Sequence, residues 1–122
     1  MSKSTSIKFK KSSDIYVGIV LHASITAQQD LDALSAEVLG FIDSHPGVPF
    51  VLDFRHVRYL SSAVLGELVA IHKSVQEKKG TLRLCHLQPK IKELFEVTRL
   101  HELIDIDESL RDSLKILKAA GA

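Results

Sequence analysis

The sequence predicts an α/β fold: a single domain, residues 1–122, with a mixed, mostly parallel β-sheet packed with about four α-helices. Three observations predict it. After two opening strand-like segments, helix-like and strand-like segments alternate, the order of a sheet built by helical crossovers. The run from Phe50 to Phe54 is apolar at neighbouring positions, as a central strand covered on both faces must be. Each helix-like segment carries a single apolar stripe, which suits a helix lying on a sheet.

The elements follow in order. Ile7-Lys8-Phe9-Lys10 alternates apolar and charged, the pattern of a half-buried strand. Ser12, Ser13 and Asp14 form a turn, and Ile15 to Leu21 pairs back as a hairpin. Thr26 opens a helix with Gln29 as its capping-box partner, and Leu31, Leu34, Val38, Phe41 and Ile42 lie on its inner stripe. Pro46 and Gly47 stop it, and the central strand follows. Ser61 and Ser62 stand before a second helix, with Val64, Leu68, Ile71 and Val75 at helical spacing and Leu65 and Val69 beside them. Lys78, Lys79 and Gly80 end it. Leu82 and Leu84 mark the next strand. Pro89 suits the first turn of a helix carrying Ile91, Leu94 and Phe95. Leu103 to Ile106 reads as a short strand. Asp107 is placed to cap a last helix with Leu110, Leu114 and Leu117 inward.

Composition narrows the function. Hydrophobic residues make up 45% of the 122, enough for a real core. Sixteen Lys and Arg against fifteen Asp and Glu leave +1, which gives no reason to expect a nucleic-acid partner. No apolar stretch approaches the roughly 20 residues that span a bilayer, so no direct membrane insertion is expected. The N-terminal MSKSTSIKFKK is polar and lacks a signal peptide's apolar block, so a cytoplasmic protein is expected. The single Cys85 has no partner for an internal disulfide.

Few residues suggest chemistry. Of the six histidines none share the i, i+4 spacing of a helical metal pair, and Cys85-His86 is only an adjacent pair. His72, near the apolar stripe of its helix, reads as a hydrogen-bonded core residue. There is no P-loop and no G-x-G-x-x-G, so neither cofactor nor metal is expected. Asp53, His56 and Ser62 hold the residue types of a triad, but the G-x-S-x-G elbow that exposes a nucleophile is missing, so an enzyme is not expected. Lys8, Lys10 and Lys11 read as a solvated strand face. Asp53, at the carboxyl end of the buried strand, is either a structural cap on the next loop or part of a site, since sites in such sheets gather at strand carboxyl ends. Ser61 and Ser62 read first as helix caps. A helix N-terminus also tolerates an attached phosphate, because its unpaired N–H groups and partial positive charge face outward.

Over VLDFRHVRYLSSAVLGELVAIHK the chain resembles the STAS domain, shared by sulphate transporters and bacterial anti-sigma factor antagonists. In that family a buried strand ends in Asp, and a serine follows nine residues later at the start of a helix. Here Asp53 is the strand-end aspartate, Ser62 falls at the phosphoacceptor place, and Leu65 and Gly66 match the Leu-Gly that follows. LRLCHLQPKIKELFEVTRLHELIDI is similar to the family's later strand, helix and strand. There are departures: Ser61 stands where an acidic residue is common, Ala63 and Val64 replace a serine and a glycine, and His22-Ala23-Ser24-Ile25 lacks the usual Gly-Glu-Ile-Asp.

The resemblance implies a signalling protein in transcription regulation, not an enzyme. Its partners would be an anti-sigma factor that is also a serine kinase, and a phosphatase that reverses the modification. Ser62 is the implied acceptor, with Ser61 the lesser candidate. Glu67, Ala70, Lys73 and Ser74, read as the side of the helix away from its apolar stripe, would form part of the partner surface. The alternative is a non-phosphorylated STAS interaction module of a signalling scaffold or membrane transport system. Oligomeric state is not legible in the sequence.

Overall fold

A computed structural model describes residues 6–120; the first five residues of the polar N-terminal stretch and the last two of the chain lie outside it. The hairpin forms as its alternation predicts. Strand β1 (Ile7–Ser12) pairs antiparallel with β2 (Ile15–Val20), with Ile7 opposite Val20 and Phe9 opposite Gly18. The chain then runs through a two-residue strand β3 (Ser24–Ile25), helix α1 (Gln28–Ser44), β4 (Pro49–Asp53), a second two-residue strand β5 (Tyr59–Leu60) and helix α2 (Ser62–Glu77). It closes with β6 (Thr81–Cys85), α3 (Pro89–Val97), a 3₁₀ turn, β7 (Asp105–Asp107) and α4 (Leu110–Ala119).

The five-stranded sheet has the order β1-β2-β4-β6-β7. Only the β1–β2 hairpin is antiparallel; β2, β4, β6 and β7 pair in parallel. The apolar run lies at the centre, between β2 and β6, and Phe50, Val51, Leu52 and Phe54 are all buried. Alternate side chains of each strand serve opposite faces. On one face Ile7, Phe50, Leu52, Leu82 and Leu84 pack with the stripes of α1 (Leu31, Leu34, Val38), α2 (Val64, Leu68, Ile71, Val75) and α3 (Ile91, Phe95). On the other, Ile15, Val17, Val51 and Cys85 pack with Leu117 of α4. Three helices therefore cover one face and α4 alone the other.

Several local expectations fail for identifiable reasons. Helix α1 starts at Gln28 with Ala27 as its N-cap, and no side chain caps it. Thr26 and Gln29 make no capping box, because Ser24 and Ile25 are drawn into the small parallel sheet with β5. Asp107 does not cap α4. Its carboxylate accepts bonds from Arg83 Nε (2.6 Å) and Nη2 (2.9 Å) and from the Ser113 hydroxyl (2.6 Å), so Ser109 caps instead, its oxygen accepting from the Asp112 N–H. With Arg83 the carboxylate gains an opposite charge as well as two hydrogen bonds, which a cap on backbone N–H groups would not supply. The last strand begins at Asp105, later than the Leu103 start that apolar content suggested; Leu103 is exposed in the preceding turn.

The end of α2 is set by a close approach. Lys79 takes the left-handed conformation (φ 62°) that a glycine usually fills. Gly80 is reserved for another need: a Cβ there would lie 2.8 Å from the Val48 carbonyl oxygen. The backbone passes so near that only glycine fits, and this brings the start of β6 against β4.

Candidate functional site

The site is built from the carboxyl end of β4 outward. Asp53, the last residue of that strand, is fully buried. Among the described residues its carboxylate is held by Arg55: the backbone N–H donates to Oδ1 at 2.9 Å, Nε donates to Oδ2 at 2.9 Å, and Nη2 donates to the same oxygen at 2.5 Å. The first bond spans two residues and makes an Asx turn. The guanidinium, with two N–H groups on one oxygen, neutralises the buried charge, and the hydrogen bond to Asp53 raises the Arg55 pKa above its ordinary value. Asp53 is thus a structural cap on the loop that follows. Further bonds fix that loop: the Phe54 N–H donates to the Cys85 carbonyl, and Gln88 Nε2 donates to the Arg55 carbonyl.

The loop delivers Tyr59 and Leu60 to β3, where they pair in parallel with Ser24 and Ile25. The Ser61 N–H donates to the Ile25 carbonyl at 3.0 Å, and α2 begins at the next residue. Ser61 occupies the N-cap position with extended backbone, and neither serine side chain makes a capping hydrogen bond. The expected cap by Ser62 is therefore not made: Ser62 is already helical, one position too late for its hydroxyl to reach back to the free N–H groups of the first turn. Ser62 is exposed and Ser61 half-buried. Immediately after them Val64 and Leu65 are buried and pin the start of the helix to the core, while Gly66 is exposed. The first turn holds no acidic residue.

The four residues expected on the outer face of α2 divide. Ala70 and Lys73 are exposed, in line with Ser62 and Gly66. Glu67 is half-buried, because its Oε2 accepts a 2.7 Å bond from the Ser35 hydroxyl of α1. It ties the two helices together, as Lys78 Nζ does with Asp43 at 3.3 Å. Ser74 is also half-buried. On the other side of the serines, Arg58 and Tyr59 border a groove of about 380 Å³ with Gln88, Pro89 and Lys90 at the start of α3. Tyr59 is 64% exposed. Sequence reasoning passed over these residues; a tyrosine next to the serine pair was the one available signal.

The triad residue types do not assemble. Both Asp53 oxygens face Arg55, and Asp53, His56 and Ser62 share no hydrogen bond among the described residues. Asp53, Cys85 and His86 do bring potential ligand atoms within 4.8 Å of one another. Their present roles weigh against a metal. Asp53 holds Arg55, His86 Nε2 accepts the Leu110 N–H at 3.1 Å, and burial together with the nearby Asp53 charge pushes the Cys85 thiol up to about 12. His72 is buried as expected, but its Nδ1 has no hydrogen-bond partner among the described residues. Lys8, Lys10 and Lys11 are exposed. No helix among the described residues is long and apolar enough to cross a membrane.

Comparison with known proteins agrees with this geometry. The sequence pattern of the STAS domain matches residues 21–113. An anti-sigma-B factor antagonist from Listeria monocytogenes is 30% identical over 89 residues, covering 70% of this chain and 78% of that protein. The crystal structure of an anti-sigma factor antagonist from Mycobacterium paratuberculosis superposes with a TM-score of 0.80 at 20% identity, covering 97% of this chain and 99% of the other. The phosphorylated form of the Bacillus cell fate determinant SpoIIAA superposes at 0.68 with 11% identity, covering 91% and 98%.

Proposed function

The chain belongs to the STAS domain family, and we propose that it acts as an anti-sigma factor antagonist whose binding is switched by phosphorylation of Ser62. In this reading the unmodified protein binds an anti-sigma factor that is also a serine kinase, phosphorylation of Ser62 breaks the complex, and a phosphatase restores it. The observation that carries the reading is the placing of Ser62. It is an exposed hydroxyl at the first residue of α2, with no capping bond to lose, on a helix pinned by Val64 and Leu65.

The physical consequence follows from charge. A phosphate adds about −1.5 to −2 at neutral pH. The first turn of α2 carries no acid to repel it, and the helix N-terminus favours it. The domain therefore stays folded while its surface changes. The partner surface in this reading consists of Ser62, Ala70 and Lys73 on α2, with the groove between Arg58, Tyr59 and Lys90 beside them. A partner packed there would have to dehydrate the phosphate or face it with like charge. Such mismatches cost several kcal/mol, so affinity falls by on the order of a hundredfold or more.

The test is treatment of wild type, Ser61→Ala and Ser62→Ala with the partner kinase and ATP, together with partner titration of Ser62→Asp. Only Ser62→Ala is expected to resist labelling, while still binding. Ser62→Asp is expected to bind more weakly than wild type, though less weakly than the phosphoprotein. Labelling of Ser62→Ala at the wild-type level would move the acceptor. No labelling of any form, with normal binding by Ser62→Asp, would favour a non-phosphorylated interaction module.

A further inference from the structure

A second surface stands apart from the serines, on the face of the sheet that α4 covers. Beside α4 lies a groove of about 750 Å³. Its rim carries Arg55 from the loop after β4 and Arg111, Lys115 and Lys118 from α4, and its lining includes the side chains of Leu110 and Leu114 but no carboxylate. Asp53, the nearest acid to Arg55 by bonding, is fully buried beneath it. The chain as a whole is nearly balanced, with sixteen basic and fifteen acidic residues. Arg111, Lys115 and Lys118 form no ion pair among the described residues, so no acid of the chain neutralises them. The groove beside α4 thus carries four basic side chains and no lining acid, twice the two that the groove of Arg58 and Lys90 carries.

We propose that this groove is a docking surface for an acidic segment of a partner protein that also presents an apolar side chain. Two features favour a peptide segment over a single small anion. Arg111, Lys115 and Lys118 recur at i, i+4 and i+7, a row about 10 Å long at 1.5 Å per residue. An extended segment places same-side residues about 6.6 Å apart, so two or three acidic side chains span that row. The half-buried Leu110 and Leu114 offer an apolar floor that a lone phosphate or carboxylate would leave unused. Charge complementarity on such a rim sets the rate of encounter and excludes basic competitors. The surface does not involve Ser62, so occupation of the groove is independent of the phosphorylation switch.

The experiment uses the full chain and a labelled Glu-rich peptide with one central Leu, followed by fluorescence anisotropy and by amide chemical-shift mapping. The expected result is saturable binding with shifts at Arg55 and over 109–118. Affinity should drop at least about tenfold in the Arg111→Glu, Lys115→Glu double variant and stay unchanged in Ser62→Asp. It should also weaken as added salt shortens the Debye length from about 30 Å to about 8 Å. Lys115→Glu with Lys118→Glu serves as a second pair, and thermal melts confirm that both pairs stay folded. Shifts centred on Lys8, Lys10 and Lys11, or affinity indifferent to both reversals, would overturn the proposal. So would equal binding of a peptide with Ser in place of the Leu, of inorganic phosphate, or of phosphatidylserine vesicles through the same residues. Weaker binding in Ser62→Asp alone would join the two surfaces and refute their independence.

Discussion

Gly18 offers a test of how the hairpin is joined to the rest of the sheet. It lies on β2 opposite Phe9, and a Cβ placed there would fall 2.5 Å from Ile7 Cδ1, 3.1 Å from Phe50 Cζ and 3.2 Å from Ile7 Cγ1. Ordinary contact begins near 3.4 Å, so Gly18→Ala requires the Ile7 methyl to give way by about 0.9 Å. Ile7 and Phe50 are 2% and 1% exposed, so neither has open space to move into. Overpacking of this kind costs about 1–3 kcal/mol, against a gain of roughly 0.5–1 kcal/mol from replacing glycine inside a strand. The net loss is about 1–2 kcal/mol. Ile7→Val removes the clashing Cδ1 and itself costs about 0.5–1.5 kcal/mol. In that background Gly18→Ala should become nearly neutral, a favourable coupling of about 1 kcal/mol. Urea unfolding of the four proteins measures it. Losses that simply add, to within about 0.3–0.5 kcal/mol, would show that the two side chains do not compete for this space.

Two further outcomes follow from the core and from the ion pairs. Leu68, 1% exposed in the main core, should lose about 2–5 kcal/mol on Leu68→Ala, and an unchanged melting temperature would mean that α2 faces the other way. Asp107 is a buried carboxylate whose burial alone would raise its pKa, but the bonds from Arg83 and Ser113 and the Arg83 charge win and hold it below the ordinary 3.8. A depressed carboxylate stabilises the fold above its unfolded pKa and loses that contribution as pH falls through the folded value. Stability should therefore hold down to about pH 4 and fall below it. Asp107→Asn should be weaker at neutral pH and show a shallower fall in the acid range. An identical acid profile for the variant would remove Asp107 from the account.

What the sequence revealed and what it hid divide along a physical line. Features set by a repeating local pattern were legible. The Phe50–Phe54 run did become the central strand, the stripes on α1 and α2 did face the sheet, and Pro89 did open α3. Features decided by a distant partner were not. Asp107 had the right residue type for a cap, but Arg83, 24 residues away, took its carboxylate. Glu67 sat on the polar side of a helical wheel, but Ser35 of α1, 32 residues away, turned it inward. Strands β3 and β5 have two residues each, too short to show a period, and they exist because they pair with one another. The groove beside α4 draws on the loops after β4 and β6 as well as on α4, so no single stretch of sequence displays it.

The same division explains why Ser62 suits the proposed switch. Its neighbours fix its position through contacts that do not involve its hydroxyl. Asp53 and Arg55 order the loop below it, the Ser61 N–H is anchored to Ile25, and Val64 and Leu65 hold the helix to the core. A serine whose oxygen capped the helix would couple modification to stability, because esterifying the oxygen would alter a bond worth about 1 kcal/mol. Here the N-cap position is given to Ser61 and no side chain makes the capping bond. The local stability of α2 then rests on buried side chains, and the exposed hydroxyl is left for surface chemistry. The corollary is that Ser62→Ala should change the melting temperature by little, within about 0.5 kcal/mol of wild type. A loss near 1 kcal/mol or more would place the cap back on Ser62 and tie the proposed switch to folding.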